Sequence, residues 1–129
     1  MAWGGLGATW AGLVHLHLGG YAVLGEYIGI DIDPLGGAIM LAWFRGEQRR
    51  NPGKLDDVKV SVYTCDMEKL SVTKLYAILR AARGPVHIYI GGPPCLDLSR
   101  LNRNGTGLWG EFSRLWAAFY TTLLQLLLC

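Results

Sequence analysis

A chain of 129 residues, 51% hydrophobic and with 18 glycines, is long enough for one domain and too apolar for a disordered tail. Its formal charge of +2 is too near neutral to indicate nucleic-acid binding by itself. The three cysteines, Cys65, Cys95 and Cys129, are widely spaced and form no CxxC pair, which argues against a zinc site or a disulfide framework and for a reducing compartment.

In chain order, no basic region precedes an apolar run at the N-terminus, so no secretory signal is expected. "GGLGATW" places glycines ahead of a helix, which suits a tight turn and equally a loop that brings backbone close to a ligand. "TWAGLVHLHLGG" predicts that helix, with Thr9 as its cap and Gly19 and Gly20 as its stop. His15 and His17 are two apart, fall on different faces, and are read as packing or surface residues rather than a metal pair. A strand is expected near 27–31, rich in β-formers and ending at Asp31. Asp33 before Pro34 is a helix start, and the helix should stop before Asn51–Pro52–Gly53.

Alternation of Val58, Val60 and Val62 predicts a strand near 58–63, ending close to Asp66. Leu75, Ile78, Leu79 and Ala82 share one face of a helix that Gly84–Pro85 should end. A third strand is expected near 86–90, and a last helix from about Glu111. That helix is apolar from Leu115 to Leu128, is short for a membrane span and is interrupted by Gln125, so it is expected as a buried core helix. Strands alternating with helices predict one α/β domain over 1–129, a parallel sheet with helices on both faces. Only "MAW" precedes the first glycines, so the first strand is nearly missing.

In such a sheet, ligands bind beyond the carboxyl ends of the strands. Asp31 comes 24 residues after Gly7 (31 − 7), near the spacing of about 20 at which an acid takes ribose hydroxyls. The other reading of Asp31 is a loop acid, and Asp33 is read as the helix cap. Asp66 suits an adenine amino group or a simple turn. "GGPPC" ends the third predicted strand. Its glycines and prolines present Cys95 in a rigid turn near arginines, which favours a thiolate nucleophile over a small buried hydrophobe.

With these residues in place, "GGPPCLDLSRLN" resembles the catalytic loop of DNA (cytosine-5) methyltransferases, in which a Pro-Cys pair carries the nucleophile. "GTGLWGEFSRLWAAFY" is similar to the segment after that loop in the de novo-type eukaryotic branch. "GLGATW", "GIDIDP" and "TCDME" follow in the order of the family's cofactor site, so the resemblance spans most of residues 4 to 120. It implies a Rossmann-like, S-adenosyl-L-methionine-dependent methyltransferase fold. It implies Cys95 as nucleophile beside Pro94, Asp31 on the ribose with Ile32 against adenine, and Asp66 on the adenine amino group with Met67 beside the ring. Gly5, Leu6, Gly7, Ala8 and Thr9 would line the methionine end. Ser99, Arg100, Asn102 and Arg103 would face DNA, and the location would be the nucleus. Neither metal nor membrane is implied, and an oligomer is a possible partner state.

The family also uses a glutamate in an Asn-Val motif, a later arginine, a target-recognition region and a returning C-terminal segment, and none of these is in the 129 residues. The expectation is therefore a truncated front half of a catalytic domain, inactive alone. The alternatives are a non-catalytic binding module that keeps part of the fold, and a methyltransferase of transfer RNA cytosine. "LDLS" after Cys95 fits the DNA branch better than the last.

Overall fold

The computed structural model describes residues 2–3, 6–92, 103–111 and 113–128, with side-chain surroundings from Trp10 onward except at Leu108. Four strands form one sheet: β1 (Ala2–Trp3), β2 (Glu26–Asp31), β3 (Lys59–Thr64) and β4 (Ile90–Gly91). Helices α1 (Leu6–Leu18), α2 (Pro34–Arg50), α3 (Val72–Ala81) and α4 (Arg114–Leu128) alternate with them. The strand order is β3-β2-β1-β4 and every pair is parallel. The expected α/β class with a parallel sheet is thus present. The chain winds outward from β1 through β2 to β3, then crosses back to lay β4 on the other side of β1, so the direction of winding switches between β1 and β4.

β2 is the strand around which both cores form. Its Tyr27-Ile28-Gly29-Ile30 run is buried throughout, as a parallel strand covered on both faces requires. Tyr27 points into a layer with Trp10 and Val14 of α1 and with Met40 and Phe44 of α2. Ile28 and Ile30 point the other way, against Cys65, Leu70, and Leu75 and Ile78 of α3, with Phe119 and Leu126 of α4 packed alongside. The period of two along the strand thus assigns α1 and α2 to one face and α3 and α4 to the other. Glycine lets α2 approach the sheet closely: a Cβ on Gly37 would lie 2.7 Å from Cγ1 of Val62.

The caps explain where the helices begin. Asp33 accepts from the Leu35 N–H at 2.9 Å, with Pro34 in the first helical position. Ser71 accepts from the Lys74 N–H at 3.2 Å and starts α3. His17 joins two loops: its Nδ1 accepts from the Leu24 N–H at 3.0 Å, and its Nε2 lies 2.9 Å from the Lys54 carbonyl. Both bonds are satisfied when Nε2 carries the proton. Gly20 adopts φ +76 just past the end of α1, where a left-handed residue terminates the helix.

Five expectations need correction. Thr9 is not the cap of α1, because the helix already starts at Leu6 and Thr9 lies within it. The third strand is not formed over 86–90: among the described residues, β4 is Ile90–Gly91, paired with Ala2 and Trp3 of β1. α3 ends at Ala81, ahead of the Gly84–Pro85 stop, and α4 starts at Arg114 rather than Glu111. Finally, α4 is not a buried core helix. Thr122 is its buried residue, while Tyr120, Leu124, Leu127 and Leu128 are exposed. No helix among the described residues is long and apolar enough to cross a membrane.

Candidate functional site

The carboxyl ends of β2 and β3 lie side by side. Asp31 pairs with Thr64 in register, and one residue further the Cys65 N–H donates to the Asp31 carbonyl at 2.8 Å. Asp31 and Asp66 therefore sit at neighbouring strand ends, as read from the sequence. α1 starts three residues after β1, so its first turn, Leu6 to Thr9, opens at the end of the adjacent strand. The first amides of a helix have no partner within it and favour an acceptor or anion there.

The two acids of the β2–α2 turn have separate jobs. Asp33 caps α2. Asp31 accepts from the Asp33 N–H at 3.0 Å through Oδ1, which fixes the carboxylate at the strand end. Its Oδ2 faces Gly36, where a Cβ would lie 3.7 Å away. One carboxylate oxygen thus shapes the turn, and the other lies beside Gly36, which carries no side chain. Ile32, between the two acids, is 66% exposed, an apolar side chain presented at the sheet edge with no core role.

Asp66 is more engaged. It caps the 3-10 turn Met67–Lys69, its Oδ1 accepting from the Glu68 N–H at 3.0 Å, and its Oδ2 lies 3.8 Å from the Lys69 ammonium. Both readings of this residue are therefore compatible: it makes the turn, and only a loose exposed ion pair occupies its second oxygen. Met67 packs against the second core instead of standing free. Arg114 at the start of α4 lies 3.6 Å from Glu68 and pins that helix to the same turn.

Beneath Asp31, on the same face of β2, lies a group that the sequence reading passed over. Tyr27 is buried against Trp10 with ring centroids 4.1 Å apart. Burial, and then the charge of Asp31, push its phenol pKa well above the ordinary range, so it is neutral. Among the described residues, neither its hydroxyl nor the Trp10 Nε1 has a hydrogen-bond partner. The signal was available: Tyr27 and Asp31 are four apart on a strand, an even spacing that puts both on one face.

Of the remaining candidates, Gly5, Pro94, Cys95, Ser99, Arg100 and Asn102 lie outside the described residues. Leu6, Gly7, Ala8 and Thr9 form the first turn of α1, and Arg103 is exposed. Cys65 is buried, and its sulfur lies 3.2 Å from the Lys74 ammonium and 3.3 Å from the Asp66 carbonyl. No group of three or more metal-ligating side chains is found among the described residues. Chemically, the described site offers carboxylate acceptors, helix amides and an exposed apolar side chain at one sheet edge. These are the requirements for a polyhydroxylated ligand with a flat apolar part. No known family model matches the chain, and no curated protein matches it.

Proposed function

We propose that this chain is the cofactor-binding and nucleophile-bearing part of a DNA (cytosine-5) methyltransferase, built on a Rossmann-like sheet. One observation carries the reading: Asp31 and Asp66 stand at the adjacent ends of β2 and β3, and the first turn of α1 opens at the end of the neighbouring strand β1, which borders the point where the winding of the sheet switches direction. That is where open α/β sheets bind nucleotide-like ligands. The Asp31 oxygen that faces Gly36 suits ribose hydroxyls, and exposed Ile32 suits the face of adenine. Asp66 accepts from the adenine amino group if the loose Lys69 contact yields, with Met67 along the ring edge. Gly5, Leu6, Gly7, Ala8 and Thr9 hold the methionine end.

S-adenosyl-L-methionine, when bound, supplies an electrophilic methyl group. Cys95, next to Pro94 in the sequence, adds as thiolate to C6 of a cytosine flipped out of the duplex, which makes C5 nucleophilic. Ser99, Arg100, Asn102 and Arg103 contact the DNA. The setting is nuclear. The resemblance of "GGPPCLDLSRLN" supports the choice of cytosine in DNA over other methyl acceptors.

Calorimetric titration of the folded chain with S-adenosylhomocysteine tests the site. Weak binding that Asp31→Ala abolishes is expected. Binding unchanged by Asp31→Ala overturns the assignment, and so does the absence of binding at millimolar ligand.

A further inference from the structure

His17 stands in the last turn of α1 and reaches two loops at once. Its Nδ1 accepts from the Leu24 N–H, and its Nε2 meets the Lys54 carbonyl. An amide N–H only donates and a carbonyl only accepts. The two contacts together therefore require a neutral ring with its proton on Nε2. Each contact lies next to the core. Leu24 packs against the layer of Trp10 and Tyr27 and leads through Gly25 into β2. Lys54 precedes Leu55, which is fully buried in the same layer.

The loop after α1 first folds back on its own helix. The Tyr21 and Ala22 N–H groups both donate to the Leu16 carbonyl, at 2.9 and 3.3 Å. The Gly25 carbonyl accepts from the Lys59 N–H at 3.0 Å and belongs already to the sheet. Between these two anchors, the bond to His17 ties the chain at Leu24. A second proton on the ring would go to Nδ1 and turn that nitrogen from acceptor to donor. Two N–H groups would then face each other at the Leu24 contact. The Nε2 bond to the Lys54 carbonyl would instead become charge-assisted and persist. One protonation thus opens one side of the tie and keeps the other.

We propose that His17 is an acid-released clasp: protonation at Nδ1 frees the α1–β2 loop, residues 19–24, and leaves the α2–β3 loop attached. The elements that meet His17 carry His15 on α1, Tyr21 in the α1–β2 loop, and Lys54, Asp56 and Asp57 in the α2–β3 loop. All five are exposed, and His17 has no ion-pair partner among the described residues. The switch therefore acts through the Leu24 hydrogen bond and not through a carboxylate that would hold the charged ring in place. Tyr21 and Val23 are 84% and 94% exposed, so the outer side of the loop has little packing to resist release. Release draws Leu24 away from the core and loosens the chain that enters β2. This reading is independent of methyl transfer.

The test is amide hydrogen exchange of the full chain by nuclear magnetic resonance, with the His17 ring signals followed in the same samples. Exchange chemistry itself slows in acid, so the readout is the protection factor. Protection at Leu24 should fall about tenfold as the His17 ring titrates, near what one hydrogen bond represents. Protection at Lys54, whose N–H donates to the Asn51 carbonyl, should stay the same. His17→Asn puts an acceptor that does not titrate where Nδ1 stands, and should keep Leu24 protected throughout. His17→Gln keeps a donor for the Lys54 carbonyl and should leave Leu24 poorly protected at every pH. His15→Gln should leave the pH step in place. Flat Leu24 protection while the wild-type His17 ring titrates overturns the proposal, and needs no variant to fold. A step that survives in either His17 variant, or that vanishes in His15→Gln, overturns it as well.

Discussion

The Cys65 N–H donates to the Asp31 carbonyl at 2.8 Å, and this one bond aligns the ends of β2 and β3. It is the last rung of the ladder after the Asp31–Thr64 pair. Everything beyond it turns away: Asp31 folds back on the Asp33 N–H, and Asp66 folds back on the Glu68 N–H. Two carboxylates at neighbouring strand ends follow from that rung, each held by its own turn.

Because the two acids of the β2–α2 turn do different work, they can be separated by mutation. Asp33→Ala removes the cap of α2 and should lower unfolding stability by about 1 kcal/mol. It should leave ligand affinity at the strand ends unchanged. Asp31→Ala should show the reverse weighting. Urea unfolding and calorimetry on both variants check the division, and equal effects of the two substitutions on binding would contradict it.

The amino ends of the strands carry an acid-sensitive tie. Burial alone would raise the Glu26 carboxyl. It is outweighed by the Arg83 N–H at 2.6 Å, the Lys59 ammonium at 2.9 Å and the Ser61 hydroxyl at 3.2 Å, so the pKa is lowered. A carboxyl lowered in the fold contributes stability that is present above the ordinary glutamate range. That contribution is lost as pH falls through the lowered value. The urea midpoint should drop below the ordinary range, and Glu26→Gln should flatten that part of the curve. An unchanged acid limb in the variant would mean that other carboxyls dominate.

How much of this was legible in the sequence differs by element. β2 was readable because Tyr27 to Ile30 are β-formers and are buried on both faces, so one run of residues carries the signal. The start of α2 was readable because Asp33–Pro34 acts locally. β4 was overread: Val86, Ile88 and Ile90 alternate as a strand should, but alternation does not say where pairing begins, and among the described residues it covers Ile90–Gly91. The burial of α4 was overread for a related reason. An all-round apolar helix states a preference, and what covers its outer side is decided elsewhere. The Glu26 tie joins residues 57 apart in the chain and leaves no local pattern at all. For the candidate site, Asp31 and Asp66 were legible by position at strand ends, whereas the pairing of Tyr27 with Trp10 beneath them needed the fold.

Packing between α2 and the sheet should be intolerant of a single methyl group. The Cβ of Gly37→Ala would meet Cγ1 of Val62 at 2.7 Å, and valine has little rotamer freedom with which to yield. A loss of about 1–3 kcal/mol is expected, typical of an overpacked contact. Val62→Ala should itself destabilise, yet the double variant should recover part of the loss, since the two changes share one space. Additive losses would show that the helix backbone, not the side chain, meets the new methyl.

Cys65 should behave as a structural thiol. It is 7% exposed and packed with Ile28, Ile30 and Leu75. Native-state alkylation at Cys65 should therefore be slow and should rise only with denaturant, as measured by mass spectrometry of the modified peptide. Rapid labelling of Cys65 in the folded protein would contradict its role as a packed core residue.

The outer side of α4 predicts self-association. Tyr120 is 56% exposed, Leu124 60%, Leu127 73% and Leu128 89%. Tyr120, Leu124 and Leu127 follow the spacing of one helical face, so the exposure forms a stripe. The opposite side is anchored, with Phe119 stacked on Tyr89 at 4.6 Å between centroids and Leu126 in the second core. The stripe can therefore be changed without undoing the packing of the helix. Contiguous exposed apolar surface of this kind favours association in water. Sedimentation velocity should show species larger than the monomer whose proportion grows with concentration. Leu124→Glu with Leu127→Glu should shift the chain toward monomer while far-ultraviolet circular dichroism stays the same. Association that survives both changes would have to run through another surface, and the exposed edge strand β3 would be the next to test.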